Sequence, residues 1–398
     1  MGIDSVKLRN KISGDRFNEM VFKAAGACPV YLVGGYIRDA VIGRECLDRD
    51  YIVERDHKPL AKRVSVLTGG RSFCLGNDRL HRIICNDGST LDFSTAEGNL
   101  RNDLSGRDFT INSIAWSPET GIVDPNRGLD DLSANAIRMI SVDNFKSDPV
   151  RIIRAYRFAS ELSFKISAET RVAIKETGQA LIRAKSERIT LEFYKILDAK
   201  DPAEALGQML SDGILQLIIC HDYNTLQRKL NVLSSISGVS DVLPSKYREK
   251  MALRYSRELS YVALLRLEVL LMNAAGNLLT KNRRVLKRIG LLESAEKLLS
   301  GVADIDSVLF DLFQVLAGSA PDFLIINGLP QLLAAHERYS KIMTRGLLST
   351  GEICEVTGMR EGVSLGKMIN ILRKAEFTNE IRTKGEAVSF LRYKFKLL

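Results

Sequence analysis

The sequence predicts an α+β protein: an α/β head over residues 1 to about 140, then a remainder that is almost entirely helical. Two observations predict it. In the first part, short apolar runs alternate with stretches of helical texture. From Asp148 onward, apolar residues recur at three- and four-residue spacing, as in Val150, Ile153, Tyr156 and Phe158, and again in Ile189, Phe193, Ile196 and Leu197.

Taken in order, residues 29–33 read as a buried strand and 36–42 as a helix, joined by the glycine pair Gly34-Gly35. A strand follows through Tyr51-Ile52-Val53, then a helix around 59–67 and β-like runs at 72–75, 81–85 and 90–93. Residues 103–115 start polar and run into an apolar helix, with Asp108 or Thr110 as its cap. Residues 124–132 make a turn into a helix ending near Ile137 and Arg138, and 148–158 form a helix with Pro149 in its first turn. Weak boundaries fall at 200–202, where Pro202 could open a new helix, and at 301–306. No internal repeat or low-complexity tract is present.

Composition bounds the partners. With 398 residues, 45% of them hydrophobic, the protein can bury several cores. The excess of 57 basic over 48 acidic residues, +9, favours a polyanionic partner, nucleic acid first, without bearing on fold. Six scattered cysteines without a CxxC pair, and four histidines, leave little for a zinc site and fit reduced thiols. Residues 1–10 lack an apolar core, Val6 stands where a myristoylation signal needs Ser or Thr, and no uninterrupted apolar stretch approaches a membrane span. A soluble cytoplasmic protein without membrane contact is expected.

The chemistry concentrates around Asp48 and Asp50. In a strand, residues two apart face the same way, so both carboxylates can face one cleft, as a hard divalent cation requires. Two Mg²⁺ ions about 3.5–4 Å apart can hold the attacking and leaving oxygens of an in-line displacement. Upstream, Gly34 and Gly35 let the backbone approach a triphosphate, and the helix that follows offers its N-terminus to anions. The ordered combination suggests nucleotidyl transfer, although a DxD alone is more often a solvated pair. Asp92, within an apolar run, is the candidate third acid; the alternative is an aspartate at a strand end. Arg107 and Asn112 can bind phosphate and ribose oxygens, and Asp108 can accept a ribose hydroxyl. Asp148 and Arg151, three apart on one helix face, can pair with the amino donor and ring acceptor that cytosine and adenine share, rejecting guanine and uracil. A helix cap with a surface ion pair is the alternative. Arg154 and Arg157 extend the basic face toward a nucleic-acid backbone. His221-Asp222 has the form of a phosphohydrolase metal dipeptide, but the further ligands are missing, and it is read as a coincidence.

These blocks resemble the class II tRNA nucleotidyltransferase and bacterial poly(A) polymerase family over nearly the whole sequence. Gly34-Gly35-x-x-Arg38-Asp39 with Asp48-x-Asp50 is similar to its catalytic motif, and Arg107-Asp108-Phe109-Thr110-x-Asn112 to its ribose motif. Asp124-Pro125-x-x-Gly128-x-x-Asp131-Leu132 is similar to the head-to-neck motif, and Asp148-Pro149-x-Arg151-x-x-Arg154-x-x-Arg157-Phe158 to the nucleotide-selecting helix. Ser186-Glu187-Arg188-Ile189 and residues 358–391 also resemble family blocks. The resemblance implies a polymerase-β-like nucleotidyltransferase head (1–142), a neck (143–200), a body (201–300) and a tail (301–398), with the acceptor arm of tRNA along body and tail. It implies that Asp48 and Asp50 bind Mg²⁺, two ions being expected, with Asp92 as third acid. Gly34, Gly35 and Arg38 would cradle the triphosphate of CTP or ATP, Asp108 would meet the ribose, and Asp148 with Arg151 would select the base. Three departures stand out: Gly106 where the family usually has arginine, Ser147 in place of a common acid, and a short link from residue 94 to 102. A short link characterises CC-adding relatives, so a second nucleotidyltransferase would add the terminal adenosine. The alternatives are complete CCA addition by this one enzyme, A addition, poly(A) synthesis, or a catalytically silent RNA-binding module.

Overall fold

The computed structural model describes residues 5–76, 78–239 and 243–394, and the protein divides into two units, Met1–Ile218 and Ile219–Leu398. Residues 1–4, part of the N-terminal segment read above for targeting signals, lie outside the described residues.

In the first unit, α1 (Ser5–Ser13) and α2 (Arg16–Ala25) precede β1 (Val30–Val33), α3 (Gly35–Val41), β2 (Asp48–Val53) and α4 (Lys58–Thr68). Then come β3 (Arg71–Leu75), β4 (Leu80–Ile84), β5 (Thr90–Thr95), α5 (Leu100–Ser105), β6 (Ala115–Ser117) and β7 (Gly121–Val123). The strands form one sheet in the order β3-β4-β5-β2-β1-β6-β7, antiparallel except where β2 and β5 run parallel. Alternation along β2 decides what each face carries. Arg49 and Tyr51 point to the face of α2: Arg49 pairs with Asp15, the carboxylate that caps α2, and the Tyr51 hydroxyl donates to Asn18 at 2.6 Å. Ile52 points the other way, into a cluster with Val33, Leu100, Leu104 and Ala115 that seats α5 on the sheet. Asp48 and Asp50 therefore share the face of Ile52.

The rest of this unit is α6 (Gly128–Ser133), β8 (Ala136–Ile137), α7 (Val142–Ser147), α8 (Val150–Leu162), β9 (Lys165–Ile166), α9 (Ala168–Thr177), α10 (Ser186–Asp198), α11 (Ala203–Ser211) and α12 (Ile214–Ile218). Helix α8 is its hub. Ile152, Ile153, Ala155 and Tyr156 are buried among α7, α10 and α11, and the Tyr156 hydroxyl donates to the buried Asp212 at 2.9 Å. Pro202 does open α11, and that helix packs on α8 within the first unit.

Two local expectations are corrected. Residues 109–115 are not a helix: one 3₁₀ turn, Thr110–Asn112, leads directly into β6. The polar side chains there are committed elsewhere. Thr110 Oγ1 donates to Asp131 at 2.7 Å, Asn112 bonds Asp108 and Arg38, and the Ile114 carbonyl accepts from Gly34. Neither Asp108 nor Thr110 caps the turn. The helix expected to end near Ile137 stops at Ser133; Asn135 takes φ 51°, and Ala136–Ile137 pairs with β9.

The second unit is helical apart from isolated bridges among its described residues: α13 (Tyr223–Val239), α14 (Ser245–Met251), α15 (Tyr261–Leu271), α16 (Arg283–Leu299), α17 (Leu309–Leu316), α18 (Ala320–Ile326), α19 (Leu333–Thr344), α20 (Thr350–Thr357), α21 (Val363–Phe377) and α22 (Lys384–Lys394). Asp222 accepts from the Thr225 backbone and hydroxyl, a turn at the start of α13, and His221 bonds the Met272 carbonyl, which explains that dipeptide without a metal. Ile305–Ile326, though interrupted by Asp306, Asp311 and Asp322, is long and apolar enough by composition to span a membrane, but 72% of its most apolar window is buried inside the fold, as in a core helix. Asp322 on α18 is 1% exposed and gathers Tyr261, Arg288 and Lys250 around it.

Candidate active site

A cavity of about 540 Å³ opens in the first unit above the end of the sheet. Asp48, Asp50 and Cys46 line it from β2 and the loop before it, Gly35, Arg38 and Asp39 from α3, and Arg107, Asp108 and Asn112 from the segment before β6. Asp148, Arg151, Arg154, Arg157 and Phe158 line it from the start and body of α8, and Arg188 from α10. Of the candidate catalytic and nucleotide-binding residues, only Gly34 and Asp92 are not in the lining. Both sit immediately behind it.

Gly34 turns from β1 into α3 with φ 73°, a backbone that side chains disfavour, and a Cβ there would stand 2.7 Å from Arg107 Nη1. The positive φ is what calls for glycine, since the tip of the Arg107 side chain can shift aside. Gly106, by contrast, has an ordinary backbone with room for a Cβ, so the fold does not demand its departure from the family pattern.

Parallel register sets Asp50 directly beside Asp92, and Asp48 beside Thr90, whose hydroxyl donates to Asp48 at 2.5 Å. The Asp92 carboxylate is taken by Arg82 in a two-pronged pair of 2.8 and 2.5 Å. Of these three strand acids, Asp48 and Asp50 are the two left facing the cavity. Burial raises the Asp50 carboxyl, and Asp92 and Asp48 raise it further against the opposing Arg107. Among the described residues no cluster of three or more His, Cys, Asp or Glu side chains is poised to hold a metal. Two carboxylates on one strand face nevertheless suit Mg²⁺, whose remaining ligands come from water and substrate phosphates. Cys46 donates to the Asp48 carbonyl, and burial pushes its thiol up to about 11, so it is no thiolate nucleophile at neutral pH.

A series of charged contacts runs along the opposite wall. Asp39 grips Arg38 with two bonds of 2.9 Å, and Arg38 Nη1 donates to Asn112 Oδ1 at 2.8 Å. The Asn112 amide then donates to Asp108 at 3.0 Å, and Arg154 donates to Asp108 at 2.8 and 2.5 Å. Burial pushes the Asp108 carboxyl up, but Arg154, Asn112 and the Phe109 N–H together hold it below its ordinary value. It stays ionised, an acceptor fixed in place. Arg157 pairs with Glu192 at 3.0 Å and lies over the Phe158 ring, so the two arginines of the expected basic face line the cavity while tied to Asp108 and Glu192. Both turn inward.

Asp148 and Arg151 do meet, at 3.7 Å, at the start of α8. Sequence reasoning missed their organiser: Arg188, forty residues on, donates to both Asp148 oxygens at 2.8 and 2.7 Å. Its block resembles a family motif, but only the packing of α10 on α8 reveals the pairing. Arg151 Nη1 is buried with no hydrogen-bond partner, a donor available to a ligand.

Comparison with known proteins finds relatives along nearly the whole sequence. Residues 30–138 match the poly A polymerase head domain, and residues 163–219 match the family described as the probable RNA and SrmB-binding site of polymerase A. A CC-adding tRNA nucleotidyltransferase from Geobacter sulfurreducens is 29% identical over 92% of both proteins. The chain belongs to the tRNA nucleotidyltransferase and poly(A) polymerase family. An A-adding tRNA nucleotidyltransferase from Deinococcus radiodurans is 33% identical to this nucleotidyltransferase over 47% of its length and 44% of the relative's. A Thermotoga maritima CCA-adding enzyme complexed with tRNA shares the fold at TM-score 0.75 and 21% identity, covering 99% of this nucleotidyltransferase and 100% of that chain.

Proposed function

We propose that this nucleotidyltransferase extends the 3′ end of tRNA without a template, adding CMP from CTP, and AMP from ATP where the full CCA is made. The observation that carries the reading is the presence, in the lining of one cavity, of both the Asp48–Asp50 pair and the Asp148–Arg151 pair. A nucleotide lying between them has its phosphates at the first and its base at the second. Gly34, Gly35 and Arg38 would receive the triphosphate, Arg107 and Asn112 its oxygens, and Asp108 the ribose. Asp148 would accept the exocyclic amino group of cytosine or adenine, and Arg151 would donate to the adjacent ring nitrogen. Mg²⁺ held by Asp48 and Asp50 would offset phosphate charge and make the RNA 3′-hydroxyl a better nucleophile. That hydroxyl attacks the α-phosphate, one P–O bond forms as another breaks, and pyrophosphate leaves.

On this reading residues 1–142, 143–200, 201–300 and 301–398 serve as head, neck, body and tail, the acceptor arm lies along the last two, and the enzyme works in the cytoplasm. CC addition is favoured, because only residues 96–99 separate β5 from α5. A second nucleotidyltransferase would then add the adenosine.

The test supplies Mg²⁺ and tRNA transcripts ending before CCA, after the first C, or after CC, with CTP, ATP or both. Arrest at CC with both nucleotides present supports the reading, and completion to CCA corrects only its extent. Extension of the CC-ending transcript alone, by ATP, identifies an A-adding enzyme instead, whereas no incorporation despite RNA binding identifies a silent module. Arg151→Ala is expected to erode the preference for CTP over UTP by about 10- to 100-fold, the worth of one bidentate base contact. Arg188→Ala should erode it less, with KM for tRNA unchanged. Selectivity that survives Arg151→Ala would remove that residue from base reading.

A further inference from the structure

The sheet register carries the face of the carboxylates beyond the cavity. Side chains directly opposite one another in neighbouring strands lie on one face. One row therefore runs Asp50, Asp92, Arg82, Phe73 across β2, β5, β4 and β3. The row beside it runs Asp48, Thr90, Ile84, Arg71. On the opposite face Ile83 is fully buried, and α4 packs against β4. On the carboxylate face α5 covers the sheet only around Ile52 and Val33. Phe73 is 40% exposed, Ile84 38%, and the Arg82 side chain 37%. An exposed aromatic on an edge strand, flanked by two arginines and continuous with the acids of an active site, is unlike an ordinary edge, which is kept polar and short.

We propose that this β3–β4 face is where the unpaired end of the acceptor RNA lies, one base stacking on Phe73 while Arg71 and Arg82 meet the phosphates on either side. Aromatic stacking with flanking cations is how single strands are held regardless of sequence. Phe73 stands three strand spacings from Asp50, roughly 14 Å, which is about four stacked bases back from the reacting hydroxyl. The proposal rests on the reading of the protein as an RNA-extending enzyme, and it adds residues that none of the family-like motifs contains.

Its test is made by binding and photocrosslinking without nucleotide, so that it does not depend on turnover. A tRNA transcript carrying 4-thiouridine at the fourth or fifth position from its 3′ end is titrated against the full-length protein. Phe73→Ala is expected to weaken binding about tenfold, the lower part of the range for one base stack, and to abolish crosslinking to β3. Phe73→Trp should retain both. Equal affinity of the wild type and Phe73→Ala, or crosslinks that map away from β3 and β4, would overturn the proposal. So would Phe73→Ala turning a dimer into a monomer with RNA affinity intact, since the face would then join two copies. A protein that crosslinks through Phe73 but incorporates no nucleotide keeps the platform and refutes the activity.

Discussion

Asp50→Ala is expected to cut nucleotide incorporation by about three orders of magnitude, because charge neutralisation at a phosphoryl site is worth several kcal/mol and each 1.36 kcal/mol is tenfold in rate. The affinity for tRNA should not change, since Asp50 lies inside the cavity. The substitution should also spare the fold. Burial, Asp92 and Asp48 already disfavour the ionised carboxylate, so alanine removes a crowded charge rather than a supporting contact. Single-turnover incorporation of labelled CMP, with thermal melting as control, checks both. Turnover within tenfold of the wild type would sink the assignment of Asp50. A fall in melting temperature together with the loss would point instead to a structural role.

The second large effect lies in the other unit. Asp322 Oδ2 accepts from the Tyr261 hydroxyl at 2.6 Å and from Arg288 at 2.7 Å, and Lys250 stands 3.2 Å from Oδ1. Arg288 also binds Glu268, whose carboxyl burial pushes up. Asp322→Ala strands Lys250 and the Tyr261 hydroxyl beside a fully buried Glu268. Removing one member of a buried ionic group costs roughly 3–5 kcal/mol, which for a unit of this size lowers Tm by roughly 10 °C. Calorimetry of the full-length protein reads this directly. Asp322→Asn, which keeps an acceptor for Tyr261, should lose less. A change of less than about 1 kcal/mol would place Asp322 among the screened surface pairs instead.

How far the sequence could be read depended on the distance over which each signal acts. The carboxylates of β2, the glycine turn at Gly34 and the helix behind Pro149 were legible because each is local: a period of two, a positive φ, a fixed proline φ. Residues 109–115 were misread because Ile111, Ile114 and Ala115 satisfy a helical pattern. What overrides that pattern is tertiary, since Gly34, Arg38, Asp108 and Asp131 each claim a group from the segment. Arg188 on Asp148 and Arg82 on Asp92 were invisible for the same reason. Each is one arginine among many until packing chooses its carboxylate. The inward turn of Arg157 likewise needed Glu192, which nothing in its own helix announces.

The unpartnered Arg151 Nη1 has a consequence for where hereditary information resides. A buried donor without an acceptor costs about 1–3 kcal/mol in the free protein. A complementary base edge cancels that cost and a mismatched one leaves it standing, so discrimination is set in the folded protein before any ligand arrives. Under the proposed activity, the letters written at the end of the RNA have no complementary nucleic-acid strand to copy. They are inherited through the gene for this polypeptide, and a change in the surroundings of one guanidinium would raise the rate of wrong letters on every transcript at once.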